Sequence, residues 1–314
     1  MRSEVGLGVP CCFAMATRVQ SRYMKQSSGT KIAHICAGAV SHRNDDHVAI
    51  LDEAGVTDIL VIDGGTSVAE RDYIDPVDGD VAWFVHAFTA ALRCTPRSGR
   101  RQHDCVHAAL DVVRARFEHL TAQASVPPHA WPIAALTWLR IDERDGARRA
   151  RLYALGDCTS LLRMPNGACI DADPFVNPQD AVLRAEIARL RAEGLADPDQ
   201  RRERMLPMLR ARRAFQNTQP APNILCLRPR GRLAARVRTI DLEPGACLLV
   251  TTDGFYRLVT PYRRYTAAEL FNACRERGLP AMLDELRRFE ATGGTGESAV
   301  KAADDASAVI WGAW

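Results

Sequence analysis

The feature that most restricts the fold of this chain is a set of short apolar segments that carry an aspartate at one end. Asp45 and Asp46 open the segment His47–Leu51, and the segment Asp58–Ile62 closes on Asp63. Short β-rich runs of this kind are typical of strands, whose interiors usually lack aspartate. Because only a short turn joins the two segments, we expect them to pair antiparallel and to place their aspartates at one rim.

The C-terminal half of the chain repeats this arrangement. The segment Ala246–Thr252 ends on Asp253, and Asp304-Asp305 opens the segment Ala306–Trp311. If these two strands are antiparallel neighbours, the end of one lies beside the start of the other. Asp253 and Asp304 should therefore meet at a rim as well.

A fifth strand, Arg151–Leu155, is followed by Gly156-Asp157. Aspartate and glycine are common in turns, and this explains any one of the five strand ends without a function. It does not explain why all five acids can share one face. Clustered carboxylates repel one another unless a cation lies among them, and oxygen-only clusters suit Mg²⁺ or Mn²⁺. The set therefore predicts a divalent metal site.

The remaining pattern consists of strands in groups and helices in pairs. Helices are predicted at Val81–Cys94 and Asp104–Gln123, through residues 178–215, and over most of Tyr262–Glu290. Further strands are predicted at Ile32–Ala39, Ile133–Ile141, Ser160–Met164, Ala168–Ile170, Asn223–Leu227 and Ala234–Ile240. This order favours a layered α+β domain over a parallel βαβ array.

Residues 1–30 are predicted to form a disordered leader, and residues 31–314 a single domain. The apolar patch near the start contains Gly6, Gly8 and Pro10, which argues against a secretory signal. No apolar run reaches the ~18 residues that span a bilayer, so no membrane association is expected. Ten cysteines without a C-x-x-C pair, several of them inside apolar runs, favour reduced thiols in the cytoplasm.

The charge of the chain argues against a nucleic-acid partner. The formal net charge is +3, whereas nucleic-acid-binding domains are usually strongly basic. Arginine runs occur at Arg201–Arg204, Arg210–Arg213 and Arg228–Arg232, with acidic residues interspersed. We interpret them as a solvated face rather than a nucleic-acid surface.

Two histidines one helical turn apart, His103 and His107, give a second hypothesis for the chemistry. The stretch resembles the His-Glu-x-x-His motif of zinc proteases, with Asp104 in place of the glutamate. An aspartate reaches a metal-bound water less well, and the sequence shows no third ligand. A solvated helix face is the simpler interpretation, and a zinc hydrolase is the alternative.

Taken together, the acidic strand ends resemble the motifs of the metal-dependent protein phosphatases, the type 2C serine/threonine phosphatases. In chain order the matching stretches are Asn44-Asp45-Asp46, Val61–Gly65, Leu155–Cys158, Leu248–Phe255 and Asp304–Ser307. The resemblance runs from about residue 32 to about residue 312. It implies an antiparallel β-sandwich flanked by pairs of helices, in four αββα layers, with an arginine-rich helical flap at about residues 175–222.

The resemblance also implies a site for two Mg²⁺ or Mn²⁺ ions, with a third ion in some members. The ligands carried over are Asp45, Asp63 and the carbonyl of Gly64 for one ion, Asp63, Asp253 and Asp304 for the other, and Asp157 near the third. Asp63 would bridge the ions and Asp46 would orient water. The implied reaction is attack of a metal-bridging hydroxide on phosphoserine or phosphothreonine in a phosphoprotein, without a protein nucleophile. Such an enzyme would act in cytoplasmic signalling.

The chain departs from the family's pattern at positions that bear on catalysis. Gly65 stands where many members have a histidine thought to protonate the leaving group, and Ser41 where the phosphate-binding arginine lies. His42 or Arg43 would have to replace that arginine, and we take Arg43 as the candidate. Asp305 replaces an asparagine. A pseudophosphatase that binds a phosphoprotein without turnover is therefore the alternative to an enzyme.

Overall fold

Two antiparallel sheets form the centre of the structure, a computed structural model that describes residues 20–25, 30–40, 43–144, 147–195, 197–292 and 303–313. Sheet A contains, from edge to edge, β1 (Gln20–Lys25), β2 (Lys31–Ala37), β12 (Ala306–Gly312), β11 (Cys247–Thr251), β7 (Thr159–Arg163) and β8 (Cys169–Asp171). Sheet B contains β10 (Arg236–Leu242), β6 (Ala147–Leu155), β5 (Ile133–Arg144), β4 (Val56–Gly64) and β3 (His47–Glu53), and the short β9 (Leu225–Cys226) pairs with β5.

Helices cover the outer face of each sheet. Sheet B carries α1 (Asp80–Cys94) and α2 (Gln102–Leu120), and sheet A carries α6 (Ala267–Arg277) and α7 (Leu279–Ala291). A third pair, α3 (Pro178–Ala192) and α4 (Pro198–Thr218), lies in the segment of the predicted flap, and the one-turn helix α5 (Asp253–Tyr256) follows β11. The predicted α+β sandwich flanked by helix pairs is confirmed.

Alternation along β12 shows how the layers are held together. Val309 and Trp311 pack into the apolar layer between the two sheets, whereas Ala308 and Ile310 pack under α6 and α7. The whole strand is buried, because successive side chains point to opposite faces and both faces are covered. Within the described residues, no helix combines the length and the hydropathy needed to cross a membrane.

The structure corrects two boundaries. Gln20–Lys25, which the sequence analysis places in a disordered leader, forms β1 and pairs antiparallel with β2. The prediction is wrong for this segment because the free edge of β2 offers unpaired backbone groups to it; residues 1–19 lie outside the described part of the chain. The last helix pair begins at Ala267 rather than Tyr262, where Thr266 and Glu269 form a capping box.

Candidate functional site

The two predicted pairs of antiparallel strands bring the aspartates together. β3 and β4 pair with His47 opposite Ile62, and β11 and β12 pair with Thr251 opposite Ala308. At the common rim, the Thr252 hydroxyl donates a hydrogen bond to Asp46 Oδ2 at 2.9 Å, and the backbone N–H of Asp253 donates to Asp63 Oδ2 at 3.4 Å. Carboxylates from sheet A and sheet B thus share one site.

The glycines that follow Asp63 and Asp253 are required by close packing. A Cβ atom on Gly64 would lie 2.3 Å from the carbonyl oxygen of Asp45 and 2.6 Å from Val81 Cγ1. A Cβ atom on Gly254 would lie 1.8 Å from the carbonyl oxygen of Asp305. Because such contacts are not tolerated, glycine at these two positions lets the acid-bearing loops approach each other.

Asp305 fixes the loop that carries Asp45. Its Oδ1 accepts a hydrogen bond from the backbone N–H of Ala39 at 2.7 Å, and its Oδ2 accepts one from the backbone N–H of Asp45 at 2.6 Å. Both carboxylate oxygens are used as acceptors. The aspartate that departs from the family's asparagine therefore has a positioning role for the site.

Replacing Asp305 with asparagine should lower the free energy of unfolding by about 1–3 kcal/mol, because the amide NH₂ would face one of the two backbone donors. Urea unfolding of the two proteins measures the change. Asp284→Asn is the matched control, since Asp284 is exposed on α7. Equal unfolding free energies for Asp305→Asn and the unmodified chain would show that the two hydrogen bonds do not depend on the carboxylate.

The cluster is electrostatically unfavourable on its own. Burial, followed by repulsion from Asp253, Asp46 and other acids, raises the pKa of Asp63 well above its usual range. Burial and the charge of Asp305 likewise raise the pKa of Asp46. Desolvation by the surrounding protein, with repulsion from Asp304, raises the pKa of Asp253 to about 6, although this side chain still reaches solvent through the cavity.

This donor set fits a divalent cation that prefers oxygen ligands. Positive charge among the carboxylates would offset the repulsion that raises their pKa values, and hard oxygen donors match Mg²⁺ and Mn²⁺. Across the described ranges, no three histidine, cysteine, aspartate or glutamate side chains are grouped as closely as a bound ion would hold them. The acids share a site without an assembled coordination shell.

A cavity of about 270 Å³ lies over the acids, between the sheet rim and the helices α3 and α4. Its lining includes the rim acids Asp63, Asp157, Asp253 and Asp304, the α3 acid Asp180, and Arg202, Arg212, Arg213 and Gln216 of α4. Asn177, which caps α3, donates a hydrogen bond to Asp157 Oδ2 at 2.8 Å. The cavity therefore brings the acidic rim together with cationic side chains of α4.

The arginines of α4 lie in the predicted flap, but they contact the site in a way that the sequence analysis did not expect. Three of them donate hydrogen bonds to backbone carbonyl oxygens of the loop after Gly64. Arg213 donates to Gly65 and Thr66. Arg202 donates to Ser67, and Arg210 donates to Val68. Positions 202, 210 and 213 fall on one face of a helix, and this spacing was the available signal. These arginines hold the loop after Gly64 and are not the solvated face that we predicted.

Arg43, the candidate for binding phosphate, lies against a different loop. Its Nη2 donates to Asp72 Oδ2 at 2.9 Å, and its Nε donates to the carbonyl oxygen of Val77 at 3.2 Å. Ser41 and His42 lie outside the described residues. The assignment of Arg43 to the substrate phosphate stays a prediction.

The alternative zinc site has two histidines and a cationic neighbour. The rings of His103 and His107 lie 4.4 Å apart, and His103 Nε2 accepts a hydrogen bond from Arg232 Nε at 3.2 Å. Burial lowers the pKa of both histidines. The parts of the chain that the structure describes provide no third ligand for this pair, and the zinc hydrolase stays an alternative.

No family model matches the chain, and no curated protein matches its sequence. Solved structures do resemble it. The S. agalactiae serine/threonine phosphatase superposes with a TM-score of 0.53 at 11% identity, covering 91% of this chain and 100% of that one. The catalytic domain of the serine/threonine phosphatase PstP with two manganese ions gives 0.50 at 15% identity, covering 90% and 97% of the two chains. RsbX with magnesium gives 0.50 at 10% identity, covering 93% and 98%. The chain therefore has the fold of the type 2C phosphatases.

Proposed function

We propose that this chain is a Mg²⁺- or Mn²⁺-dependent phosphatase that hydrolyses phosphoserine and phosphothreonine in cytoplasmic phosphoproteins. The observation that carries the proposal is the convergence of aspartates from four strand ends on one cavity, with Asp46 of a fifth strand end hydrogen-bonded to Thr252 beside it. The resemblance in fold to serine/threonine phosphatases, one of them holding two manganese ions, supports the same conclusion.

The proposed ligands are Asp45, Asp63, the carbonyl of Gly64, Asp253 and Asp304, with Asp157 available to a third ion. A bound pair of divalent cations supplies an acidified water and neutralises charge on a phosphoryl group. Asp46, buried and held by Thr252, orients water at the site. The protein around the acids partly excludes bulk water, which strengthens their attraction for cations.

Hydrolysis of para-nitrophenyl phosphate with Mn²⁺, with and without a chelator, tests the proposal. We expect turnover that depends on the metal and disappears with the chelator. Metal binding without turnover would instead identify a pseudophosphatase. Turnover that survives the chelator would contradict both.

The pseudophosphatase alternative is favoured by one specific observation at Gly65. A Cβ atom there would lie 2.9 Å from Ile133 Cγ1 and 3.2 Å from Arg213 Nη2, so a histidine cannot be added without moving core atoms. Gly65 also donates its N–H to the Ile133 carbonyl oxygen at 2.9 Å. The local packing leaves no room for a side chain at Gly65, so the chain has no histidine there to protonate the leaving group.

Without that acid, leaving-group protonation should limit turnover of alkyl phosphates. General acid catalysis typically contributes 10²–10⁴-fold, and it matters most for poor leaving groups such as a serine alkoxide. We expect para-nitrophenyl phosphate to be hydrolysed about 10²–10⁴-fold faster than a phosphoserine peptide. Parallel kcat/KM measurements with Mn²⁺ test this. Equal rates on the two substrates would show that another residue supplies the proton.

A further inference from the structure

One arginine of α4 faces the cavity without being used to hold the structure together. Arg212 lines the cavity together with the acids. Its side chain is partly buried, and it makes no hydrogen bond or ion pair with any residue that the structure describes. The carboxylates of Asp157 and Asp180 attract its charge, but neither forms an ion pair with it within 4.0 Å.

The other arginines of α4 on this wall differ from Arg212. Arg202 and Arg213 donate to loop carbonyl oxygens and so fix the segment that follows Gly64. Arg213 is only 9% exposed, yet its Nε has no hydrogen-bond partner among the described residues. Arg212 therefore differs from both, because its guanidinium lines the cavity and is bonded to no residue that the structure describes. It can accept an anionic ligand without giving up a structural contact.

We propose that Arg212 binds the phosphoryl group of the substrate. This inference rests on the proposed function for the identity of the ligand as a phosphate monoester. A guanidinium presents paired N–H donors that match two phosphoryl oxygens. It also supplies positive charge in a cavity whose lining carries five carboxylates, which would repel a phosphate dianion. Arg212, on a helix distant in sequence, thus takes the role of the family's phosphate-binding arginine, in whose place this chain has Ser41.

The test measures binding of inorganic phosphate by calorimetry, with Mn²⁺ and with EDTA. The variants are Arg212→Ala and Arg212→Lys, and the matched control is Arg204→Ala, which removes the same charge from an exposed position on the same helix. With Mn²⁺, we expect Arg212→Ala to weaken phosphate binding about 10- to 100-fold and to raise KM for para-nitrophenyl phosphate. The phosphate affinity of Arg212→Lys should lie between those of Arg212→Ala and the unmodified chain, because lysine keeps the charge but loses the paired donors. The control should be unchanged.

Mn²⁺ affinity of each variant separates this inference from the proposed function. If Arg212→Ala binds Mn²⁺ normally and loses phosphate, the inference stands. If it changes phosphate affinity by less than about twofold, or loses Mn²⁺ affinity as well, the inference is wrong while the phosphatase proposal is untouched. If the unmodified chain binds no Mn²⁺, the phosphatase proposal fails. The inference about Arg212 is then tested by phosphate binding in EDTA alone. Weaker phosphate binding by Arg212→Ala than by the unmodified chain supports the anion site, and equal phosphate affinities contradict it.

Discussion

Replacing Asp253 with asparagine should lower metal-dependent phosphatase activity by at least about 10²–10³-fold, since a metal ion contributes several kcal/mol to the transition state. The side chain follows β11, next to Asp63 and Asp304, and reaches the cavity. The substitution removes one negative charge and one oxygen ligand, but it conserves size. The fold should survive, because Asp253 remains open to solvent and is not part of the apolar core. Rates with para-nitrophenyl phosphate over a range of Mn²⁺ concentrations measure the loss.

Asp241→Asn is the control for this substitution. Asp241 lies in β10 with its side chain 80% exposed and paired with Arg149, so the same chemical change should leave the rate unaffected. Circular dichroism and urea unfolding confirm that both variants are folded. If Asp253→Asn retained activity within about tenfold of the unmodified enzyme, a barrier difference of only ~1.4 kcal/mol, this carboxylate would not be a metal ligand.

Millimolar Mn²⁺ should raise the melting temperature by about 5–10 °C relative to EDTA. A ligand at about 100 times its Kd adds ~2.7 kcal/mol to the native state, and each kcal/mol corresponds to about 2–4 °C for a domain somewhat smaller than this one. The cause is the acid cluster, in which desolvation and mutual repulsion raise the pKa values of Asp46, Asp63 and Asp253. A divalent cation relieves their mutual repulsion only in the folded chain.

The melting experiment tests metal binding whether or not the protein is catalytic. Asp63→Asn should remove most of the stabilisation by Mn²⁺, because Asp63 lies between the acids of the two sheets. Asp241→Asn should keep it. Superimposed melting curves in Mn²⁺ and EDTA for the unmodified chain would mean that the two-ion site does not form.

Local sequence was enough to predict several elements of the site. Strand-like segments with aspartates at their ends predicted the pairing of β3 with β4 and of β11 with β12, and both pairings are confirmed. The roles of the individual aspartates toward metal stay predictions. Asp58 shows the limit of the same reasoning. It is buried within β4 between Arg97 Nε at 2.9 Å and Arg140 Nε at 2.8 Å, where it is an internal ionic partner rather than a rim acid.

The sequence alone therefore determined the strands, the paired helices and the acids at their ends, because hydrophobic period and turn residues act over a few neighbouring positions. Only the tertiary structure decided which distant groups meet. The carboxylate of Asp305 holds the backbone N–H of Asp45, and α4 presents Arg212 to the cavity over the acids. Both arrangements bring together parts of the chain that are far apart in sequence, and both arise from the packing of the sheets and helices. No local pattern encodes that choice.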